Sequence, residues 1–127
     1  MLKKGNLEHE NPWFTDQYLL KFCRARKFDA TKTIKMWEDY ITERKNMNVD
    51  DLCANFIYEE HEKVLEVYMR GYYGVDKFGH PVYYDFSGKI NPDEVWKTTT
   101  EERFIKFIYA DYERCLKFRL LAMSHYT

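Results

Sequence analysis

Tyr68-Met69-Arg70-Gly71-Tyr72-Tyr73-Gly74-Val75-Asp76-Lys77-Phe78-Gly79-His80-Pro81-Val82-Tyr83-Tyr84-Asp85-Phe86 is the stretch where the chain stops repeating like a helix and starts repeating like a strand. Tyrosines crowd its first half, interrupted by Gly71 and Gly74. In the second half Val82, Tyr84 and Phe86 alternate with Tyr83 and Asp85, the period of two that marks a strand. Between the halves, Asp76-Lys77-Phe78-Gly79 supplies turn chemistry, with Gly79 free to take positive φ. The stretch predicts a β-hairpin.

Upstream the period is helical. Asn11-Pro12 discourages a helix in the first fifteen residues, which read as an irregular lead-in. Asp16 can cap a helix over about 17–27 with Leu19, Phe22 and Cys23 as its apolar stripe. Asp29 can cap the next, where Ala30, Ile34, Trp37 and Ile41 recur at helical spacing to about Lys45. Two shorter helical pieces are expected near 49–55 and 59–67. Downstream, Asn91-Pro92-Asp93-Glu94 reads as a capping box with Pro at the first helical position, opening a short helix through Lys97. Thr99 to Glu102 repeats that pattern and opens the longest helix, about 100–121, striped with Phe104, Ile108, Tyr112, Cys115 and Leu116 and widened by Ile105 and Tyr109.

A two-stranded hairpin alone is marginal in water. The wide aromatic face of the long helix also wants more cover than this layout supplies. The expectation is an unfinished sheet in a truncated chain, an α+β or α/β fragment. Residues 1–15 would be lead-in, 16–67 an amino-terminal helical domain, and 68–127 the start of an incomplete second domain.

Composition bounds the function. The 127 residues are 45% hydrophobic, 18% aromatic and 32% charged, with 11 Tyr and 9 Phe, which places the chain among globular domains. A formal net charge of −1 gives the whole chain no electrostatic footprint for nucleic acid. Cys23, Cys53 and Cys115 are odd in number and form no CxxC, so reduced thiols are the simple reading. Met1 to Asn6 lacks the apolar core of a signal peptide, and no apolar run approaches the ~20 residues of a membrane span. His61 stands in Glu59-Glu60-His61-Glu62, but the second histidine of HExxH is replaced by Leu65; His9, His80 and His125 are scattered, so no zinc site is expected. No GxGxxG or GxxxxGK phosphate cradle occurs, Glu101-Glu102 suit a first helical turn, and no nucleophile–base pair is evident. An enzyme is not expected.

Arg26 lies three residues after Cys23 and four after Phe22, so a cation sits on or beside an apolar stripe. It must find an anionic or carbonyl partner, either an internal carboxylate or a bidentate phosphate. Tyrosines on a hairpin and on a helical stripe are ordinarily core with satisfied hydroxyls.

The segment Leu19-Leu20-Lys21-Phe22-Cys23-Arg24-Ala25-Arg26-Lys27-Phe28-Asp29 resembles the signature at the start of the CRAL-TRIO module. Tyr72-Tyr73 followed by Asp76-Lys77-x-Gly79-x-Pro81-Val82-Tyr83 resembles the first hairpin of that family. Glu101-Glu102-Arg103, Tyr112-Glu113 and Phe118-Arg119-Leu120 resemble the long helix after it. Within the family the likeness is greatest to the yeast-type phosphatidylinositol/phosphatidylcholine transfer proteins (the Sec-fourteen group), and runs from about Asp16 to Ala122. The lead-in does not align, and the later strands and the gating helix of the family are absent.

The resemblance implies a cytoplasmic, monomeric lipid-binding protein, peripheral on Golgi or endosomal membranes. It would exchange phosphatidylinositol and phosphatidylcholine between membranes or present phosphatidylinositol to a lipid kinase. It places a headgroup phosphate near Arg26 and Lys27, and a phosphocholine pocket at Tyr73, Tyr83 and Tyr112, whose rings would hold a quaternary ammonium by cation–π attraction. No cofactor is implied, and the fragment is expected to be inactive alone. The alternatives are a helical adaptor module for a protein partner, and a carrier of a tocopherol or retinoid.

Overall fold

The computed structural model describes residues 14–124. The expected lead-in before Phe14, and His9 and His125, lie outside the described residues. The chain divides into two compact units, Met1–Met47 and Asn48–Thr127.

In the first unit, α1 (Asp16–Ala25) begins on Thr15, whose hydroxyl accepts the Tyr18 N–H at 3.2 Å. The cap is thus one residue ahead of the expected Asp16. Asp29 caps α2 (Ala30–Asn46) as the sequence predicts, accepting the Lys32 N–H at 3.0 Å. The buried face of α2 is not the Ala30–Ile34–Trp37–Ile41 stripe: Thr33, Trp37 and Arg44 are buried, and Ile34 is exposed. Rings explain the rotation. Trp37 meets Phe14 and Phe22 edge-on, with centroids 4.9 and 5.0 Å apart, and Tyr40 packs 5.1 Å from Phe22. These rings bury more apolar area than two isoleucines, and their edge-to-face contacts add to it. Arg44 keeps its stem in that cluster and donates to the Tyr40 hydroxyl at 3.0 Å.

The second unit runs α3 (Val49–Asn55), α4 (His61–Val67), β1 (Arg70–Val75), β2 (Pro81–Asp85), a 3₁₀ turn (Ser87–Lys89), α5 (Pro92–Thr98), α6 (Glu101–Arg114), a π-wound turn (Cys115–Arg119) and α7 (Leu120–Ser124). The unit is mostly helical with one antiparallel hairpin. Its core gathers Tyr58, Val64, Tyr68, Val95 and Phe104, with Phe107 and Ile108 packed against them.

Two caps differ from expectation. Asn91 precedes α5 without a side-chain cap bond. Thr100, not Thr99, caps α6, accepting the Arg103 N–H at 3.3 Å. Thr99 is buried instead, donating to Glu60 at 2.8 Å and accepting from the Tyr58 hydroxyl at 2.9 Å. A buried hydroxyl with two partners in the core is worth more than a second cap on a helix that already has one.

The hairpin pairs Arg70 with Asp85, Gly71 with Tyr84 and Tyr72 with Tyr83, then slips by one residue before Val75 meets Pro81. The extra residue is a β-bulge at Tyr73–Gly74, with Gly74 at φ 69. Asp76 builds the turn: one carboxylate oxygen accepts the N–H of Phe78 at 2.8 Å and of His80 at 2.9 Å. Of these two bonds, the one to Phe78 is the Asx-turn contact that Asp favours. They hold the Asp76 carboxyl below its ordinary range, the His80 backbone N–H foremost.

The long helix predicted over 100–121 is broken by the π-wound turn. Eight residues of regular helix end about 80° away from their starting direction. A turn with one extra residue takes up that angle and brings Arg119 back over Asp111.

Candidate functional site

Antiparallel partners share a face, so the register sets Arg70, Tyr72, Tyr83 and Asp85 on one side of the hairpin. The Tyr72 and Tyr83 rings meet edge-on, 4.8 Å between centroids. Tyr73 pairs with Tyr84 on the other side, 6.2 Å apart, and covers Gly71. Arg70 donates its Nε–H to the Tyr83 hydroxyl, and its guanidinium lies 5.3 Å from the Tyr68 and Phe104 ring centres. The Tyr68 hydroxyl donates to both oxygens of Asp85, at 2.8 and 3.0 Å. Burial and that carboxylate push its pKa up.

The helices complete the wall. Arg119 donates to the Asp111 carboxylate at 2.9 Å and to the Asp111 carbonyl at 3.3 Å, and its guanidinium lies 4.4 Å from the centre of the Tyr72 ring. Arg114 reaches the carbonyls of Cys53 at 3.0 Å and Phe56 at 2.8 Å, fastening the end of α3 to α6. Tyr72 is partly buried, and burial, then the neighbouring Cys115 thiol, drive its hydroxyl pKa well up. That phenol is a hydrogen-bonding group and a π-face, never an anion at neutral pH.

Arg70, Tyr72, Tyr83, Asp111, Arg114 and Arg119 line one open cleft of about 530 Å³ that also takes in Tyr73, His61 and Phe107. Among the described residues three guanidiniums face it with a single carboxylate, Asp111. Such a cleft offers a phosphate two things: charge and fork-shaped donors. It also offers the π-faces that attract a cation.

The residues predicted from sequence divide. Tyr73 and Tyr83 both line the cleft, from opposite faces of the hairpin. Tyr112, on α6, is exposed and outside the lining. Arg26 and Lys27 belong to the first unit and are exposed. Arg26 ends α1, with its N–H on the carbonyls of Phe22 and Cys23, both at 3.2 Å. Lys27 and Phe28 follow at φ 51 and 62, a left-handed pair rare for side chains of their size. The Arg26 side chain borders a shallow depression with Lys32, Lys35, Met36 and Asp39. Among the described residues no carboxylate pairs with it.

Arg70, Tyr72, Asp111 and Arg119 were not singled out from sequence. Tyr72 was out of reach, because a turn at Asp76–His80 in strict register sets Tyr73 opposite Tyr83, and the bulge at Tyr73–Gly74 brings Tyr72 there instead. Arg119 was out of reach too, since its place depends on a π-wound turn that no residue pattern announces. Among the described residues no cluster of His, Cys, Asp and Glu could hold a metal, and no helix is long and apolar enough to cross a membrane.

Residues 2–39 match the CRAL/TRIO N-terminal domain. The phosphatidylinositol/phosphatidylcholine transfer protein SFH9 of Arabidopsis thaliana is 41% identical over 106 residues, 84% of this chain and 18% of that protein. The SEC14 cytosolic factor of Eremothecium gossypii is 40% identical over 109 residues, 86% of this chain and 35% of that protein. The Yarrowia lipolytica SEC14 cytosolic factor is 38% identical over 109 residues, 86% and 22% of the two chains. The chain therefore spans about a fifth to a third of the length of these relatives. Matched near its start by the family's amino-terminal model and along most of its length by Sec14-like proteins, the chain is similar to part of a Sec14-like CRAL-TRIO protein.

Proposed function

We propose that this chain supplies the headgroup-facing part of a phospholipid-binding protein that exchanges phosphatidylinositol and phosphatidylcholine between membranes. The observation that carries the reading is the cleft, where Tyr72 and Tyr83 meet two guanidiniums, Arg70 and Arg119, at one edge of the hairpin. The lipid phosphate takes the charge and forked donors; the headgroup lies against the rings. Tyr73 closes the rim; Tyr112 and, within the first unit, Arg26 and Lys27 are proposed as lipid contacts on the strength of the family resemblance alone.

In this reading residues 16–67 form the amino-terminal helical domain and 68–127 begin a lipid-binding domain that further strands complete. The apolar side chains left exposed in the second unit, Phe78, Trp96 and Phe118 among them, suit that role. No covalent step is required; the work is desolvating two acyl chains, with apolar burial of ~25 cal/mol per Å² as the driving term. The protein is a cytoplasmic monomer that visits intracellular membranes and hands phosphatidylinositol to a lipid kinase.

The test uses the full-length protein in a liposome transfer assay, with Arg70→Ala and Tyr83→Phe variants. Loss of the shared Arg70–Tyr83 contact is expected to lower transfer by about tenfold with folding retained by circular dichroism. Unchanged transfer by both variants would remove the cleft from the mechanism. Intact transfer with loss of a protein partner would favour an adaptor role, and co-purified tocopherol or retinoid would favour another cargo.

A further inference from the structure

We infer that Arg119 is the headgroup-discriminating residue of this cleft: a built-in cation seated on the Tyr72 ring, which disfavours quaternary-ammonium headgroups against uncharged polyol phosphates. The inference rests on the proposed headgroup role of the cleft and adds a direction to it.

The geometry is specific. The Arg119 guanidinium stands 4.4 Å from the Tyr72 ring centre, inside the ~6 Å reach of a cation–π contact. It is held there by the Asp111 carboxylate at 2.9 Å and the Asp111 carbonyl at 3.3 Å. Among the described residues Asp111 is the only acid lining the cleft. Arg114 is committed to two carbonyls and Arg70 to the Tyr83 hydroxyl, so neither covers Tyr72. A second cation arriving at that ring meets one already bound. To enter, it must displace Arg119 and break its ion pair, or accept like-charge repulsion at contact distance. An anionic phosphate bearing an uncharged polyol meets no such conflict, and gains a forked donor. The π-wound turn is what makes the arrangement possible, since regular winding would carry Arg119 about 80° away from Asp111.

The test has two readouts. Tetramethylammonium chloride is titrated into the 127-residue chain while the Tyr72 ring resonances are followed by NMR, with sodium chloride as the ionic-strength control. Arg119→Ala is expected to bind the ammonium about fivefold or more tightly than the unaltered chain. Arg119→Gln, which keeps an amide within reach of Asp111 without the charge, should move the same way and serves if the alanine variant fails to fold. Equal titrations for the unaltered chain and both variants overturn the inference. Separately, the full-length protein is equilibrated with vesicles of equal phosphatidylinositol and phosphatidylcholine content, and bound lipid is weighed by native mass spectrometry. Arg119→Ala should shift the bound ratio several-fold toward phosphatidylcholine; a shift toward phosphatidylinositol also overturns it. If no protein binds either lipid, the proposed function falls, while the ammonium titration still decides whether Arg119 guards the ring.

Discussion

Glu60 shows how one carboxylate can fasten distant segments. Its two oxygens accept from Arg103 at 2.7 and 2.8 Å, and one of them also accepts from the Thr99 hydroxyl at 2.8 Å. Arg103 further reaches the Ile57 carbonyl at 3.3 Å, tying the loop before α4 to the first turn of α6. The Arg103 hydrogen bonds, outweighing burial, lower the Glu60 pKa from 4.5 to about 2. A carboxyl whose pKa falls on folding stabilises the fold at pH values above its unfolded pKa, and the contribution fades as pH drops through the folded value. The gain should therefore be complete above pH 4.5 and decline toward pH 2. Urea melts of the unaltered chain and Glu60→Gln should differ clearly at pH 7 and converge as pH approaches 2. A gap that is constant with pH would mean the carboxylate charge contributes nothing. This pair was hidden in the sequence, where Glu60 read as part of a false metal motif and Arg103 as part of a helix start. Their partnership spans forty-three residues, and periodicity sees only neighbours.

At the scale of elements, the sequence announced the hairpin and its turn correctly, since Asp76 and Gly79 act locally. The bulge was not foreseen, and it decides which tyrosines share a face. Without the slip at Tyr73–Gly74, strict alternation would hold from end to end. Gly71 carries the other constraint: its φ is 150, and a Cβ there would come within 3.2 Å of the Tyr73 ring. The ring sits half-exposed and can swing aside, so the backbone is the stiffer obstacle. Gly71→Ala is expected to destabilise by about 1–3 kcal/mol. The mutant should also lose the Tyr73–Tyr84 contact, seen as collapse of cross-strand NOEs between those rings. A neutral melt would show that strand β1 relaxes freely around Gly71. The helices divide in the same way. The Asp29 cap places the start of α2 and Pro92 that of α5, whereas the buried face of α2 and the π-wound turn answer to rings and carbonyls elsewhere in their own units.

At the scale of the molecule, a near-neutral chain carries a locally cationic cleft, and net charge alone conceals it. The size of that cleft sets its own limit. About 530 Å³ is ample for a headgroup and sits within the range of small-molecule sites. It offers no enclosed space for two acyl chains, whose burial at ~0.8 kcal/mol per CH₂ must be matched by apolar walls. If the proposed reading holds, recognition and transport separate cleanly in this chain. Glycerophosphoinositol, a soluble headgroup with no acyl chain, should perturb the Tyr72 and Arg119 resonances of the 127-residue chain in the millimolar range, where a few charge-assisted bonds place such affinities. The same chain should move long-chain phosphatidylinositol between liposomes no faster than a protein-free blank, because nothing offsets the exposure of the tails in transit. Raising salt should weaken the headgroup titration, since it rests on partly exposed guanidiniums. Measurable transfer by the chain would mean that its exposed aromatic side chains shelter acyl tails unaided, and that recognition and transport are not separate in this chain.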